Sequence, residues 1–335
     1  MNKSLITPGY VWHEVPSGLV LPDDTLQPID LKVMYPVNDA ELLQDIWDNR
    51  ETKTAARPNG TEITTTTFNK NAENGAIFWL PGWGVSNLEG GGARVATLMA
   101  ALNPDKRVVA AEELANVTDK HKNSAAIGDM GPYASNYMAV IEGKGFDVLS
   151  GHSRGGLIQT LLAGRADIGK LSVVNLMDMP RARSYLTALG FGARVGLLDN
   201  MVQGKYKELV DIEEEAVISS FGEISAGGGP KEAFNKAKDE WWLIKAMARS
   251  GLNRIITKAF LNQPTANFYL WQGTENVGVS VESTRAMVSG LRHPSAYANS
   301  KHLRYFEAPT GHYSEGHTAR YARQTTFAIA QSRNN

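Results

Sequence analysis

The residues best placed to do chemistry lie in Leu149-Ser150-Gly151-His152-Ser153-Arg154-Gly155-Gly156-Leu157-Ile158. The Gly-x-Ser-x-Gly spacing falls between Phe146 to Ser150, which reads as a buried strand, and Gly155 to Ala163, which reads as a helix. A serine on so sharp a strand-to-helix turn sits in strained backbone and presents its hydroxyl at the C-terminal edge of a sheet. Gly151 and Gly155 keep side chains out of the crowded turn. Gly156 lets the helix approach the neighbouring strands, and the helix N-terminus adds partial positive charge beside the hydroxyl. A hydroxyl placed this way suits nucleophilic attack. An ordinary glycine-rich turn has the same spacing, but the preceding strand, the following helix and Gly156 favour the nucleophile.

Such a turn needs a parallel sheet around it, and the flanking sequence supplies one. Ala76 to Leu80 is a continuous apolar run stopped by Pro81-Gly82-Trp83-Gly84, as expected of a strand buried on both faces. Ala93 to Leu102 reads as a helix, Arg107 to Ala110 as a strand, Tyr133 to Gly143 as a helix and Leu171 to Met177 as a strand. Then the strands stop. Lys205 to Ser220 and Pro230 to Arg249 read as helices, joined through Ala226-Gly227-Gly228-Gly229. In the second, Phe234, Ala237, Trp241, Ile244 and Ala248 share one face. The rhythm resumes with a strand at Asn267 to Trp271, a helix at Val281 to Leu291, a strand at His302 to Phe306 and a helix at Thr318 to Gln331. Alternation of this kind predicts a mostly parallel central sheet flanked by helices on both faces. Before it, Leu31 to Tyr35 and Glu62 to Phe68 read as strands, with a short helix over Asp39 to Asn49 capped by Asn38 or Asp39. The expected organisation is an N-terminal strand and irregular segment (1–75), a core (76–180 and 263–335) and a helical cap insertion (181–262).

Composition narrows the function classes. Lys plus Arg number 34 and Asp plus Glu 35, a net charge of -1, so nothing draws the chain as a whole to nucleic acid or to an anionic membrane. Hydrophobic residues at 42% and charged residues at 21% exclude a disordered chain. Cysteine is absent, which removes disulfides, thiolate nucleophiles and cysteine metal sites. No metal-ligand spacing occurs, and Gly90-Gly91-Gly92 lacks the Lys-Ser/Thr ending of a phosphate loop. Met1 to Tyr10 shows no apolar signal core and no stretch reaches 18 apolar residues, so the expectation is a cytoplasmic protein without a membrane span.

With Gly151-His152-Ser153-Arg154-Gly155 and these flanking elements, residues 76 to 330 resemble the α/β-hydrolase family. Leu80-Pro81-Gly82-Trp83-Gly84 is similar to its oxyanion loop, with Pro81 where a His is usual. Pro309-Thr310-Gly311-His312-Tyr313 is similar to its Gly-His loop after the last strand, and Trp271 to Ser280 to its acid loop. The resemblance implies Ser153 as nucleophile, His312 as base (favoured over His317) and the N–H groups of Trp83 and Arg154 as the oxyanion hole. At the acid position strict spacing puts Asn276, one residue after Glu275. Glu275 is the first choice, Asp178 at the end of the neighbouring strand the second and Asn276 the third. A capping or solvating role is the simpler account of Asp178.

Trp242 is a candidate for the substrate pocket, whereas Trp241 lies on the apolar stripe and suits packing. The expected activity is hydrolysis of an ester or related activated acyl bond of a small molecule, with no cofactor. Thioester, amide or acyl-transfer chemistry by the same residues, or a catalytically weak ligand-binding protein, are the alternatives.

Overall fold

The computed structural model describes residues 17–20, 26–82, 88, 90–179, 242–243, 245–246, 251–274, 281–292, 302–308 and 318–333. The chain opens with strands β1 (Ser17–Val20) and β2 (Leu26–Ile29), helices α1 (Leu31–Met34) and α2 (Ala40–Asp48), and strands β3 (Glu51–Ala56) and β4 (Glu62–Phe68). Strands and helices then alternate through β5 (Ala76–Leu80), α3 (Gly90–Leu102), β6 (Arg107–Ala111), α4 (Asp119–Ala126), α5 (Gly131–Ser135), α6 (Met138–Ile141), β7 (Phe146–His152), α7 (Arg154–Ala163) and β8 (Val173–Met177). The last described elements are α8 (Leu252–Asn262), β9 (Asn267–Gly273), α9 (Val281–Arg292), β10 (Leu303–Ala308) and α10 (Thr318–Arg333).

The strands form one sheet in the order β2-β1-β10-β9-β8-β7-β5-β6-β4-β3. From β10 to β6 every neighbouring pair is parallel. The β4–β3 and β1–β2 pairs flank this centre in antiparallel register. β5 shows why the parallel strands read as unbroken apolar runs. All five of its residues are buried, yet successive side chains go to opposite faces. Ile77 and Trp79 join one core with Met99 of α3 and Phe327 of α10. Phe78 and Leu80 join the other with Tyr133, Leu157, Ile256 and Val288 from α5, α7, α8 and α9. Each large apolar side chain so buried contributes about 1.5–3 kcal/mol. Two covered faces therefore make the sheet a rigid platform whose parallel strands all end at one edge.

Three departures from the sequence reading have local causes. Leu31 to Tyr35, expected as a strand, begins with the helical turn α1. Asp30 caps it, its Oδ1 accepting from the N–H groups of Lys32 and Val33, and only Leu31 is buried. The side-chain cap overrides a β-branched and aromatic composition. The single helix expected over Tyr133 to Gly143 is two short ones, α5 and α6. Between them the Asn136 amide donates to Pro132 O and Tyr133 O, taking carbonyls that a continuous helix would use itself. Strand β3 is exposed along its whole length and leaves no apolar signature to read.

The expected cap segment, 181–262, lies largely outside the described residues, including the helix expected over Lys205 to Ser220. Residues 242, 243, 245 and 246 are helical, with Leu243 and Ala246 buried. Leu252–Asn262 forms α8, which packs along α7 and delivers the chain to β9.

Candidate active site

At the end of β7 the chain turns directly into α7, and Ser153 is the turning residue. Its φ of 51° and ψ of −118° lie in a region costly for a non-glycine residue, about 1–3 kcal/mol. Its N–H donates to Met177 O (2.8 Å) on the neighbouring strand, and its carbonyl accepts from Leu157 N–H (3.2 Å) in the first turn of α7. The flanking glycines are required by contact. A Cβ on Gly155 would sit 2.1 Å from Leu80 O, and one on Gly151 would sit 2.5 Å from the carbonyl carbon of Gly155. Gly156 is less confined, since its nearest neighbour is the Met179 side chain at 3.0 Å. The close approach at Gly155 presses the end of β5 onto the start of α7. The chain therefore leaves β5 through Pro81 against the start of α7.

Asp178 ends β8, one strand from Ser153. It too has positive φ (47°), and it is 1% exposed. Its Oδ1 accepts the Gly273 N–H (2.6 Å) and its Oδ2 pairs with Arg320 of α10 (2.7 Å). Next to Gly273, Thr274 N–H donates to Ala308 O (2.8 Å). The loops after β9 and β10 thus leave the sheet from adjacent, anchored points. Glu275 follows the first of these points, and His312 lies four residues beyond the second. Trp83, Glu275, Asn276, His312 and His317 themselves lie outside the described residues.

Beneath Ser153 a buried polar network joins β7, β8, β9 and α10. The hydroxyls of Ser150 and Thr325 are 2.8 Å apart, Asn175 Nδ2 donates to both, and Trp271 Nε1–H donates to Asn175 Oδ1 (2.8 Å). His152, inside the motif, packs its ring 4.6 Å from that of Tyr321. These contacts hold α10, the helix that follows the His312 loop, against the strand that carries Ser153.

On the other side of Ser153, the Arg154 side chain is completely buried. Its Nη1 donates to the Tyr133 hydroxyl (3.1 Å) and lies 3.4 Å from Glu113 Oε1. Burial opposes the charge, but Glu113, followed by Tyr133 and Tyr137, holds the guanidinium pKa above its ordinary value. Burial also pushes the Tyr133 and Tyr137 hydroxyls up from the usual tyrosine range. Trp242, half-buried, packs its ring 5.6 Å from that of Tyr133.

No family model and no curated protein sequence matches the chain. Solved structures do. An enol-lactonase from Burkholderia xenovorans LB400 superposes with a TM-score of 0.52 at 17% identity, covering 84% of this chain and 100% of its own. A hydrolase from Pseudomonas aeruginosa PA01 gives 0.52 at 12%, over 85% and 99%. A putative aryl esterase from Burkholderia cenocepacia gives 0.50 at 14%, over 85% and 100%. The chain has the α/β-hydrolase fold.

Within this α/β-hydrolase fold the structure brings Ser153, Arg154 and Asp178 together at one sheet edge, with Trp242 reaching the same region through Tyr133. Sequence reading missed Glu113, Tyr133 and Tyr137. One signal pointed to them. Arg154 opens a helix, where a cation opposes the helix dipole, and a cation in that position calls for a compensating partner elsewhere. Among the described residues, no group of three or more His, Asp or Glu is placed to hold a metal, and no helix is long and apolar enough to cross a membrane.

Proposed function

We propose that the protein is a serine hydrolase that cleaves a carboxylic ester or related activated acyl bond of a small molecule. The observation that carries this reading is Ser153 itself. A non-glycine residue is held at positive φ, between glycines that admit no side chain, at the point where a buried strand becomes a helix. Strain of that kind clusters at active sites, where the surrounding structure holds it. In the proposed mechanism Ser153 Oγ attacks the acyl carbon while His312 takes its proton. The tetrahedral oxyanion is held by the N–H groups of Trp83 and Arg154. His312 then protonates the leaving group, and water, activated by the same imidazole, releases the acyl group from Ser153.

Glu275 is proposed as the acid that orients His312, because its loop and the His312 loop start from neighbouring anchors. Asp178 is the second candidate, supported by its burial one strand from Ser153. Both its oxygens already hold partners, which suits an anchor. Trp242 is proposed to wall the acyl pocket.

The test uses p-nitrophenyl esters of increasing chain length and a fluorophosphonate probe. Ser153→Ala should fold, lose the label and lose on the order of 10^4-fold in kcat. Activity within tenfold of wild type would exclude Ser153. Absence of label on folded wild type would favour a ligand-binding protein instead. For the acid, Glu275→Gln should lose orders of magnitude in kcat with little change in stability. Asp178→Asn should instead destabilise by about 3 kcal/mol, because it leaves Arg320 poorly paired. An Asp178→Asn protein that is stable but nearly inactive would move the acid to Asp178.

A further inference from the structure

Arg154 has one proposed role through its backbone N–H, and its side chain takes no part in that mechanism. Yet that side chain is the least expected group near Ser153. It is a guanidinium with 0% exposure, at the first position of a ten-residue helix whose dipole opposes it. The fold leaves it only partly satisfied. Nη1 meets Tyr133 and Glu113 and the Tyr137 hydroxyl also bears on the guanidinium, but Nε and Nη2 make no close hydrogen bond among the described residues. The Tyr137 hydroxyl, also near the guanidinium, gives its proton to Glu112 O (3.0 Å). In two more exposed ion pairs of this chain the same donor edge is filled. Nε and Nη2 of Arg285 grip Glu307 at 2.6 and 2.7 Å, and those of Arg165 grip Asp167 at 2.8 and 2.6 Å.

The two ends of the Arg154–Glu113 pair also differ in burial. The Glu113 side chain is 19% exposed, so water screens its charge more than that of Arg154. Removed from water, the guanidinium keeps more of its field than the half-screened carboxylate does, one residue along the chain from Ser153. An apolar side chain would pack the same space without desolvating a charge.

We propose that Arg154 is a positioning residue whose buried side-chain charge, acting through the Ser153 turn, favours the anionic tetrahedral oxygen and disfavours the protonated form of the histidine base. This rests on the reading of Ser153 as nucleophile. The charged and titratable groups facing the guanidinium, among the described residues, are Glu113 after β6 and the hydroxyls of Tyr133 and Tyr137 from the α5–α6 region. Glu113 opposes the effect and Arg154 drives it, so removing one or the other has opposite consequences.

The experiment measures the rate of fluorophosphonate labelling of Ser153 against pH, in full-length protein whose folding is checked by circular dichroism. The acid limb of the profile reports the base. Arg154→Met should slow labelling by roughly tenfold to a hundredfold and raise the midpoint of that limb by roughly 0.5 to 1 pH unit. Glu113→Gln should lower the midpoint. Arg154→Lys should return it toward wild type, whatever the absolute rate. A structural staple would not produce shifts of opposite sign. Folded Arg154→Met with a wild-type midpoint, or midpoints that move the same way in both variants, would overturn the proposal. If Arg154→Met does not fold, Glu113→Gln decides alone: a lowered midpoint supports the proposal and an unmoved one overturns it. Wild-type protein that takes no label at Ser153 overturns the nucleophile reading and this proposal with it, a result distinct from a labelled protein with unmoved midpoints.

Discussion

Ser153 holds two demands in tension. The turn needs a backbone conformation that glycine adopts freely, and the proposed chemistry needs a hydroxyl there. Replacing Ser153 with Gly separates the two. The variant should gain about 1 kcal/mol of stability in urea unfolding, because the strain at φ 51° is relieved, while taking no fluorophosphonate label. A variant less stable than wild type would mean that the side chain's own contacts outweigh the strain. Asp178 shares the positive φ, but there the conformation aims a carboxylate at Gly273 N–H and Arg320. Two strained residues thus end adjacent strands, one presenting a proposed reactive group and the other tying down the elements around it.

Among the elements, the joint of β5, β7 and α7 is the tightest. Gly155 lies so close to Leu80 and Pro81 that an added methyl would meet backbone, which cannot swing aside. Gly155→Ala should therefore destabilise by about 3 kcal/mol or prevent folding, whereas Gly156→Ala, which meets the Met179 side chain at 3.0 Å and Gly151 O at 3.1 Å, should cost about 1 kcal/mol. Chemical denaturation of both variants checks the contrast, and equal losses would show that the joint is looser than its contacts imply. Much of this joint was legible beforehand, because Gly151, Ser153, Gly155 and Gly156 are specified by local backbone geometry. The hairpin at β1 and β2, the exposed strand β3 and the short helix α4 were not. All are short, the described side chains of β2 and β3 are mostly exposed and α4 is polar, so no period marks them. Partner strands and caps such as Thr118 on α4 decide their structure instead.

On the scale of the whole molecule, the two cores bury tyrosines with their hydroxyls. Tyr133, Tyr137, Tyr269 and Tyr305 are all at most 1% exposed. Burial raises the pKa of each above the ordinary tyrosine value of about 10, and for Tyr305 the neighbouring Glu307 carboxylate adds to it. The sign follows from proton binding. Below about pH 10 both folded and unfolded chains keep these protons, and the stabilisation is fully present. Above it the unfolded chain gives them up while the folded chain retains them, so stability falls as pH rises, by about 1.4 kcal/mol per pH unit for each such tyrosine. Urea midpoints should thus hold level from pH 8 to about 9.5 and then drop steeply. Tyr305→Phe should make the drop shallower, and an unchanged slope would mean that Tyr305 ionises in the folded state.

The sequence by itself determined the alternation of strands and helices, the sheet they build and the serine turn within it. Apolar runs such as Ala76 to Leu80 and glycines such as Gly155 respond to forces that act within a few residues or on burial as such. Only the tertiary structure decided what surrounds Ser153. Glu113 and Tyr133 stand 40 and 20 residues before it, Asp178 stands 25 after it and Arg320 stands 167 after it. None of these announces its partner, because charge pairing depends on distance in space, and that distance is set by the crossover of each strand. The sheet brings Arg154 against Glu113 and Asp178 against Arg320, and so sets two ion pairs at the ends of the strands beside the Ser153 turn.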